Sequence, residues 1–360
     1  MFTAIIFLVV ISVLIFVHEF GHFVFAKRAG MRVEEFGFGF PPRLFGVKKG
    51  ETVYSINLIP FGGFVKILGE EGGHAGEPGS FSAKSIWTRL SVVVAGVMMN
   101  FLLAVFLLML GNFLGLRIGL VDDNLSANAK NKQIQIIQIA ENSPAQIADL
   151  RLLDEIVGFK KENSVIYVSA TKEVQDFVRE NAGVKSVILI KRAGQPLEKE
   201  ILPRKNPPEG QGALGISLAL TGVVSYPWYE SVWRGVYDAV ILTINTILGY
   251  WMLIKTLLIK GKLMADVSGP IGIATMTGQA ARIGLNYLIQ FVAMISVNLA
   301  VLNIIPFPAL DGGRAVTLII EKIKGSPINR KVENMVNTAG FALLIVLMIY
   351  VTVKDLIRIF

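Results

Sequence analysis

Apolar residues in this chain come in long runs, and between the runs the pattern changes to alternation. Phe2 to Ala26 is apolar almost throughout and ends on Lys27-Arg28. A second run covers Leu90 to Leu116, a third Tyr287 to Pro306 and a fourth Ala339 to Val353. Each approaches the ~20 residues that a membrane-crossing helix needs, the last being marginal. A fifth run, Val232 to Ile259, is apolar on balance but carries Arg234, Asp238 and Lys255, with Lys260 just beyond. That mixture reads as an amphipathic or membrane-surface helix pair. The expected fold is therefore a polytopic α-helical membrane protein with about four transmembrane helices.

Residues 120–222 are different: charged, β-branched and broken by Gly and Pro, as in a small soluble α+β domain. Gln133–Ile139 and Ser186–Lys191 alternate like strands, and Lys172–Asn181 reads as a short helix. Ser143-Pro144-Ala145, followed by Leu150 and Asp154, resembles the helix-opening segment of a PDZ domain, although that family usually has Gly where Asp149 and Leu153 stand. Gly212–Ile216 reads either as the loop that captures a peptide terminus in PDZ domains or as a plain closing strand.

Between the first two runs, Gly37-Phe38-Gly39-Phe40-Pro41-Pro42 predicts a turn cluster. Thr52–Ile59 alternates like a strand, Pro60-Phe61-Gly62-Gly63 breaks it, and Phe64–Leu68 resumes it. This is a β-hairpin region that either dips into the membrane, where backbone must pair internally, or stands exposed in water. The chain thus divides into a first span (1–30), a cytoplasmic-side loop with the β-region (31–89), a second span (90–118), the PDZ-like domain (120–222), the helix pair (225–285), a third span with a cytoplasmic loop (286–325) and a fourth span (326–360).

Composition agrees. Of the 360 residues, 53% are hydrophobic and 17% charged, against about 25% charged in soluble domains. The net charge of +8 fits cytoplasm-facing loops, and no aromatic-basic interleaving suggests nucleic acid. With no cysteine, a metal site would have to be built from histidine and carboxylate. The N-terminus lacks the basic region and cleavage site of a signal peptide.

The chemistry lies where the apolar pattern is violated. His18-Glu19-Phe20-Gly21-His22 sits toward the end of the first run, and residues 1–17 carry no charged side chain. A charged side chain at the centre of a membrane helix costs about 2.5–3.5 kcal/mol even on the mildest scale, so its presence implies use. Helical positions i and i+4 share a face, so both imidazoles can reach one ion, with Glu19 placed to take a proton from an attacking water. Zinc suits two imidazoles and a carboxylate. The carboxylate candidate is Asp311, which follows Asn303-Ile304-Ile305-Pro306-Phe307-Pro308-Ala309-Leu310 and precedes Gly312-Gly313. The two prolines interrupt the helix there. The competing reading is that Asp311 merely caps the next helix, a role worth about 1 kcal/mol. His74, the third histidine, lies in a loop of Glu and Gly and reads as solvated.

Charge sets an orientation. Lys27-Arg28 puts the histidine end of the first span toward the cytoplasm, the second span returns, and the PDZ-like domain falls outside. Asp311 then reaches the depth of His18 only if Val232–Ile259 does not cross. Arg314, Lys322, Lys324, Arg330 and Lys331 after it support a cytoplasmic loop, while Lys354 and Arg358 fall outside, against the rule.

The His18–His22 motif, the Asn303-x-x-Pro306-x-Pro308-x-Leu310-Asp311-Gly312 motif, the stretch Gly96–Phe101 in the second span and Ile320–Gly325 after the aspartate together resemble bacterial site-2 proteases of the RseP type, over nearly the whole chain. The resemblance implies an intramembrane zinc metalloprotease of the bacterial cytoplasmic membrane. Its substrates would be single-pass transmembrane proteins or peptides, such as anti-sigma factors trimmed by an upstream site-1-type protease, or remnant signal peptides. It implies zinc on His18, His22 and Asp311, Glu19 as base, Asn303 beside the site at the substrate backbone or oxyanion, and a membrane-associated β-region around Tyr54–Leu68 that pairs with unwound substrate. An exposed edge at Tyr54, Ser55, Ile56, Asn57 and Leu58 would supply those bonds. Two features depart from the family: one PDZ-like domain fits where the best-known members have two, and Val97 stands where Pro is frequent, leaving the role of Asn100 open. The alternative function is a catalytically idle PDZ-containing scaffold binding membrane proteins. A transporter would predict repeated spans, and the sequence has none.

Overall fold

The computed structural model describes residues 1–360 apart from 71, 75, 121–122, 162–163, 262–267 and 360. It divides into two compact units, one comprising Met1–Leu110, Val232–Gly278 and Leu288–Phe360, the other Gly111–Ser231 and Gln279–Tyr287. In chain order the elements are α1 (Phe2–Arg28), β1 (Val33–Lys49), β2 (Thr52–Ile67), α2 (Ile86–Leu114), β3 (Leu116–Gly119), α3 (Asp123–Asn128), β4 (Lys130–Ile139), α4 (Pro144–Ile147), β5 (Glu155–Lys161), β6 (Ser164–Tyr167), α5 (Thr171–Glu180), β7 (Ser186–Arg192), β8 (Gln195–Ile201), β9 (Ile216–Val224), α6 (Trp228–Lys260), α7 (Pro270–Ile283), α8 (Leu285–Ile304), α9 (Asp311–Lys324) and α10 (Arg330–Ile359).

Among the described residues, five helices of the first unit are long and apolar enough to cross a membrane: α1, α2, α6, α8 and α10. The protein is thus a multi-pass membrane protein with a β-region, and Val232–Ile259 is one continuous helix rather than a pair. α1, α2 and α8 are apolar around most of their surface, as hydrocarbon demands, whereas α6 carries Arg234, Asp238 and Lys255. Phe2, Ile5, Val9, Val13 and Phe16 of α1 are exposed, while Val10, Leu14 and His18 face inward.

Lipid chains are as apolar as leucine, so helix contacts here depend on close backbone approach and a few polar bonds. A Cβ at Gly21 would fall 2.5 Å from the Ala95 carbonyl oxygen, which brings α1 against α2. Gly235 of α6 meets the Met109 backbone in the same way, at 2.6 Å, and Gly278 of α7 meets Thr3 of α1, at 2.4 Å. Ser296 Oγ on α8 donates to the Asn100 carbonyl on α2 (2.7 Å), and Tyr250 Oη on α6 donates to Asn298 Oδ1 on α8 (3.2 Å). Near the start of α7, Gly269 and Gly272 donate their N–H groups to the buried Asp355 carboxylate of α10 (3.1 and 2.7 Å). Backbone donors that a helix start would leave orphaned are satisfied there.

The β-region departs from the expected hairpin. The Gly37–Pro42 turn cluster is part of the strand β1, and Pro60–Gly63 does not break β2, which runs on to Ile67. Gly37 is strand because a Cβ there would lie 2.4 Å from the Phe64 ring, so glycine lets the two segments close flat. Residues 33–38 pair with 63–67 on one side and with 53–56 on the other, and residues 43–49 pair with 52–57. Two strands therefore lace into four lanes, with 53–56 an inner lane and 63–67 an outer one.

In the second unit the sheet order is β3-β9-β4-β5-β7-β8, with β6 beside β5, and every pairing is antiparallel. Its core is Ile134, Ile136, Ile156, Phe159, Ile188 and Ile190 from the sheet, closed by Val174, Phe177 and Val178 of α5. The Phe159 and Phe177 rings stack with centroids 3.9 Å apart. Ser143 caps α4 by accepting from the Gln146 N–H. Asp149 (φ 53°) and Leu153 (φ 68°) both adopt left-handed backbone, the conformation for which glycine is suited. Burial opposes ionisation of Asp149, but bonds from Lys199, Arg151 and Arg192 outweigh it and hold the carboxyl well below its ordinary range.

Candidate metal centre

The site is assembled by three local devices. The first is α1, whose turn sets His18 and His22 one above the other, with ring centroids 4.8 Å apart and planes nearly perpendicular. The second is α2, held close by Gly21 and carrying Gly96 opposite the imidazoles. A Cβ on Gly96 would stand 2.4 Å from His22 Nε2 and 2.7 Å from His18 Cε1, so any other residue would fill the space between the rings. The third is the chain reversal after α8. Pro306 and Pro308 end the helix, Ala309 turns with φ 71°, and Gly312 and Gly313 let α9 restart against that turn, their Cβ positions 2.2 Å from the carbonyl oxygens of Ile305 and Phe307. Asp311 is thereby delivered as the first residue of α9.

Three ligand atoms converge. His18 Nε2 is 3.0 Å and His22 Nε2 3.4 Å from Asp311 Oδ2, and the two nitrogens are 3.2 Å apart. A tetrahedral ion bound at about 2.0–2.2 Å requires its ligands to stand roughly 3.3 Å from one another, so the triangle has the right size for zinc. Asp311 Oδ2 is buried and makes no hydrogen bond despite its two neighbours, as expected of an oxygen facing a shared centre rather than an N–H. Leu310, not Asp311, is the cap residue of α9, which leaves the aspartate free of the capping role. Among the described residues, this is the one group of three or more His, Cys, Asp or Glu spaced to hold a metal.

Orienting groups complete the imidazoles. The Val92 carbonyl lies 2.8 Å from His22 Nδ1, so a proton there leaves Nε2 as the lone-pair nitrogen. On His18 the corresponding neighbour is Asn100, with Nδ2 3.4 Å from Nδ1. Glu19 follows His18 on α1, and a Cβ on Gly63 would lie 3.6 Å from its Cγ. The outer lane of the β-region therefore runs beside the candidate base. Arg314, one turn beyond Asp311, ties α9 to the end of that lane through the Glu70 carboxylate and carbonyl.

The remaining expected residues fall less simply. His74 pairs with Glu77 in an exposed loop and is not among the three ligands. Asn303 lies on the last turn of α8. Ser55 and Asn57 are buried and turned to Glu35 and to the Phe38 and Gly39 carbonyls within the β-region. Tyr54, Ile56 and Leu58 are exposed, but the backbone of 54–56 is paired on both sides. Residues 54–56 therefore offer no open edge; the outer lanes are 63–67 and 43–49, and of these 63–67 is the one that borders Glu19. Gly63, Gly96, Val92 and Asn100 were not singled out as site residues from the sequence. A polar Asn100 in the middle of the second apolar run was the available signal.

Comparison with known proteins identifies the chemistry. A protein of Clostridium perfringens that carries the provisional name of a zinc metalloprotease is 39% identical over 97% of each chain. The regulator of sigma-W protease RasP of Bacillus subtilis is 29% identical over 99% of each chain, and the zinc metalloprotease RasP of Bacillus licheniformis is 30% identical over 99% of each. The family model of peptidase family M50 matches residues 6–347. With a zinc-sized ligand triangle in apolar helices and that match over nearly its whole length, the chain belongs to peptidase family M50, the zinc metalloproteases of membranes.

Proposed function

We propose that this protein hydrolyses peptide bonds within transmembrane segments of single-pass membrane proteins, holding zinc on His18, His22 and Asp311 and using Glu19 as proton carrier. The convergence of those three ligand atoms inside a bundle of apolar helices carries the reading. When bound, zinc supplies Lewis acidity toward the scissile carbonyl and the attacking water. Glu19 takes the proton from that water and returns it to the leaving amine. Asn303, on the last turn before the proline break, faces the substrate backbone or the developing oxyanion.

A helical peptide bond is hydrogen-bonded and hidden, so the substrate must unwind. Residues 63–67 form an outer lane of the β-region with one edge unpaired by strand among the described residues, and Gly63 borders Glu19. An unwound segment added to this edge gains backbone partners and passes the carboxylate. The edge role assigned to Tyr54–Leu58 therefore moves to this lane.

By the charge rule, the Lys27-Arg28 end of α1 is cytoplasmic and the second unit, read as PDZ-like, is extracytoplasmic. The α6–α7 segment supports an even crossing count. Gly235 meets α2 near its far end, while α7 meets Thr3 at the start of α1 and Asp355 near the end of α10. On a four-span path those three positions fall at one membrane face, which is the reading proposed for the segment. A substrate of the anti-sigma-factor or remnant-signal-peptide class, released by an upstream site-1-type protease, fits the site, and the surrounding partner is lipid.

The test is the Glu19→Gln variant in detergent, offered single-span peptides with and without chelator and read by mass spectrometry. Zinc content equal to wild type with cleavage lowered at least a thousandfold is expected. Undiminished cleavage by the zinc-loaded variant removes Glu19 from the role, and cleavage insensitive to chelator removes zinc.

A further inference from the structure

Asn100 is the most deeply buried polar side chain beside the ligands, 1% exposed on α2. Its carbonyl accepts from Ser296 Oγ of α8, which fixes the α2 backbone at this level. Its side chain is less settled: Nδ2 points at His18 Nδ1 (3.4 Å) while Oδ1 is buried with no hydrogen bond. A buried, unpaired amide oxygen costs about 1–3 kcal/mol.

The ring chemistry of His18 resolves this. Nε2 faces Asp311 and His22 and must keep its lone pair to bind an ion. A neutral imidazole carries one proton, which must then lie on Nδ1 and needs an acceptor. Turning the Asn100 amide by 180° puts Oδ1 on that N–H, pairing the amide oxygen with the imidazole proton, and moves Nδ2 to the place Oδ1 held. His22 already has the equivalent acceptor, the Val92 carbonyl two turns earlier on the same helix.

We propose that Asn100 is a positioning residue: it accepts from His18 Nδ1–H and fixes the tautomer and ring plane in which Nε2 serves the ion. The inference rests on the zinc-site reading above. It assigns α2 the outer support of both imidazoles, one through backbone and one through a side chain, so only the Asn100 half is open to substitution.

The test uses the full-length protein in detergent, stripped of zinc and titrated with zinc against a chelating dye. Asn100→Leu keeps the shape and removes the acceptor; zinc affinity should fall ten- to a hundredfold, as with other ligand-orienting groups. Asn100→Asp keeps an acceptor at the same place and should bind within threefold of wild type or tighter. Ser296→Ala, which disturbs the same helix contact without touching His18, should bind as wild type. A purely packing role would weaken Asn100→Leu and Asn100→Asp alike and shift the melting of the metal-free protein, and either equal loss or no loss overturns the proposal. If Asn100→Leu does not fold, Asn100→Asp decides: tenfold weaker zinc binding in that folded variant also overturns it. Wild-type zinc affinity in His18→Ala would instead bring down the zinc site itself.

Discussion

The helical unit and the sheet unit solve opposite problems with opposite materials. In the sheet unit water does the sorting: Ile136, Phe159 and Ile188 are fully buried, and α5 covers them with its apolar stripe. In the helical unit the outward residues are the greasy ones and the inward residues include His18, Asn100, Ser296 and Asp355. Its helices meet where glycine permits contact, and its polar groups are matched singly. Burial of apolar area stabilises the first; fit and hydrogen-bond satisfaction specify the second. A membrane-embedded active site needs the latter, because only there can ligands be held without expelling them to water.

Substitutions that respect one rule and violate the other sharpen the contrast. Phe159→Ala should destabilise the sheet unit by about 3–5 kcal/mol. It should appear as rapid proteolysis between residues 120 and 220 while zinc content stays at the wild-type level; loss of zinc would mean the two units are not energetically separable. Gly96→Ala adds one methyl group, trivial in a water-sorted core, yet it intrudes between the imidazoles. Zinc affinity should fall at least tenfold in a chelator competition, whereas Gly119→Ala, with open space around its Cβ position, should leave it unchanged. The smallest effect runs in the favourable direction: Leu153→Gly relieves a left-handed backbone worth about 1–2 kcal/mol, and slower amide exchange across β5 and β7 should report it.

Much of the site was legible because the apolar background is so uniform that each polar exception stands out. Helical spacing grouped His18, Glu19 and His22, while Asp311 stood after a proline break as the carboxylate candidate, with helix capping as its rival and the resemblance joining it to the pair. The Asp149 and Leu153 positions also announced themselves, as places where glycine was expected and the backbone does turn left-handed. The β-region was less readable. Alternation in Thr52–Ile59 identifies a strand but not its neighbours, and Gly37–Pro42 is two-thirds glycine and proline while forming strand. Which lane is outer depends on pairing across a sheet that bends back on itself, and pairing leaves no trace in period-two alternation. The role of Asn100 stayed open for a different reason: its meaning depends on which imidazole nitrogen faces it, which spacing along the chain does not show.

The lane that borders Glu19 carries one more implication. Added strands advance about 6.6–6.8 Å for every two residues and present alternate side chains to opposite faces. A guest chain lying along Gly63–Ile67 can slide by two residues and offer the same pattern again, but a slide of one turns every side chain over. Such an edge acts as a ruler with two-residue graduations, and fragments released from a single guest would form a ladder whose rungs differ by pairs.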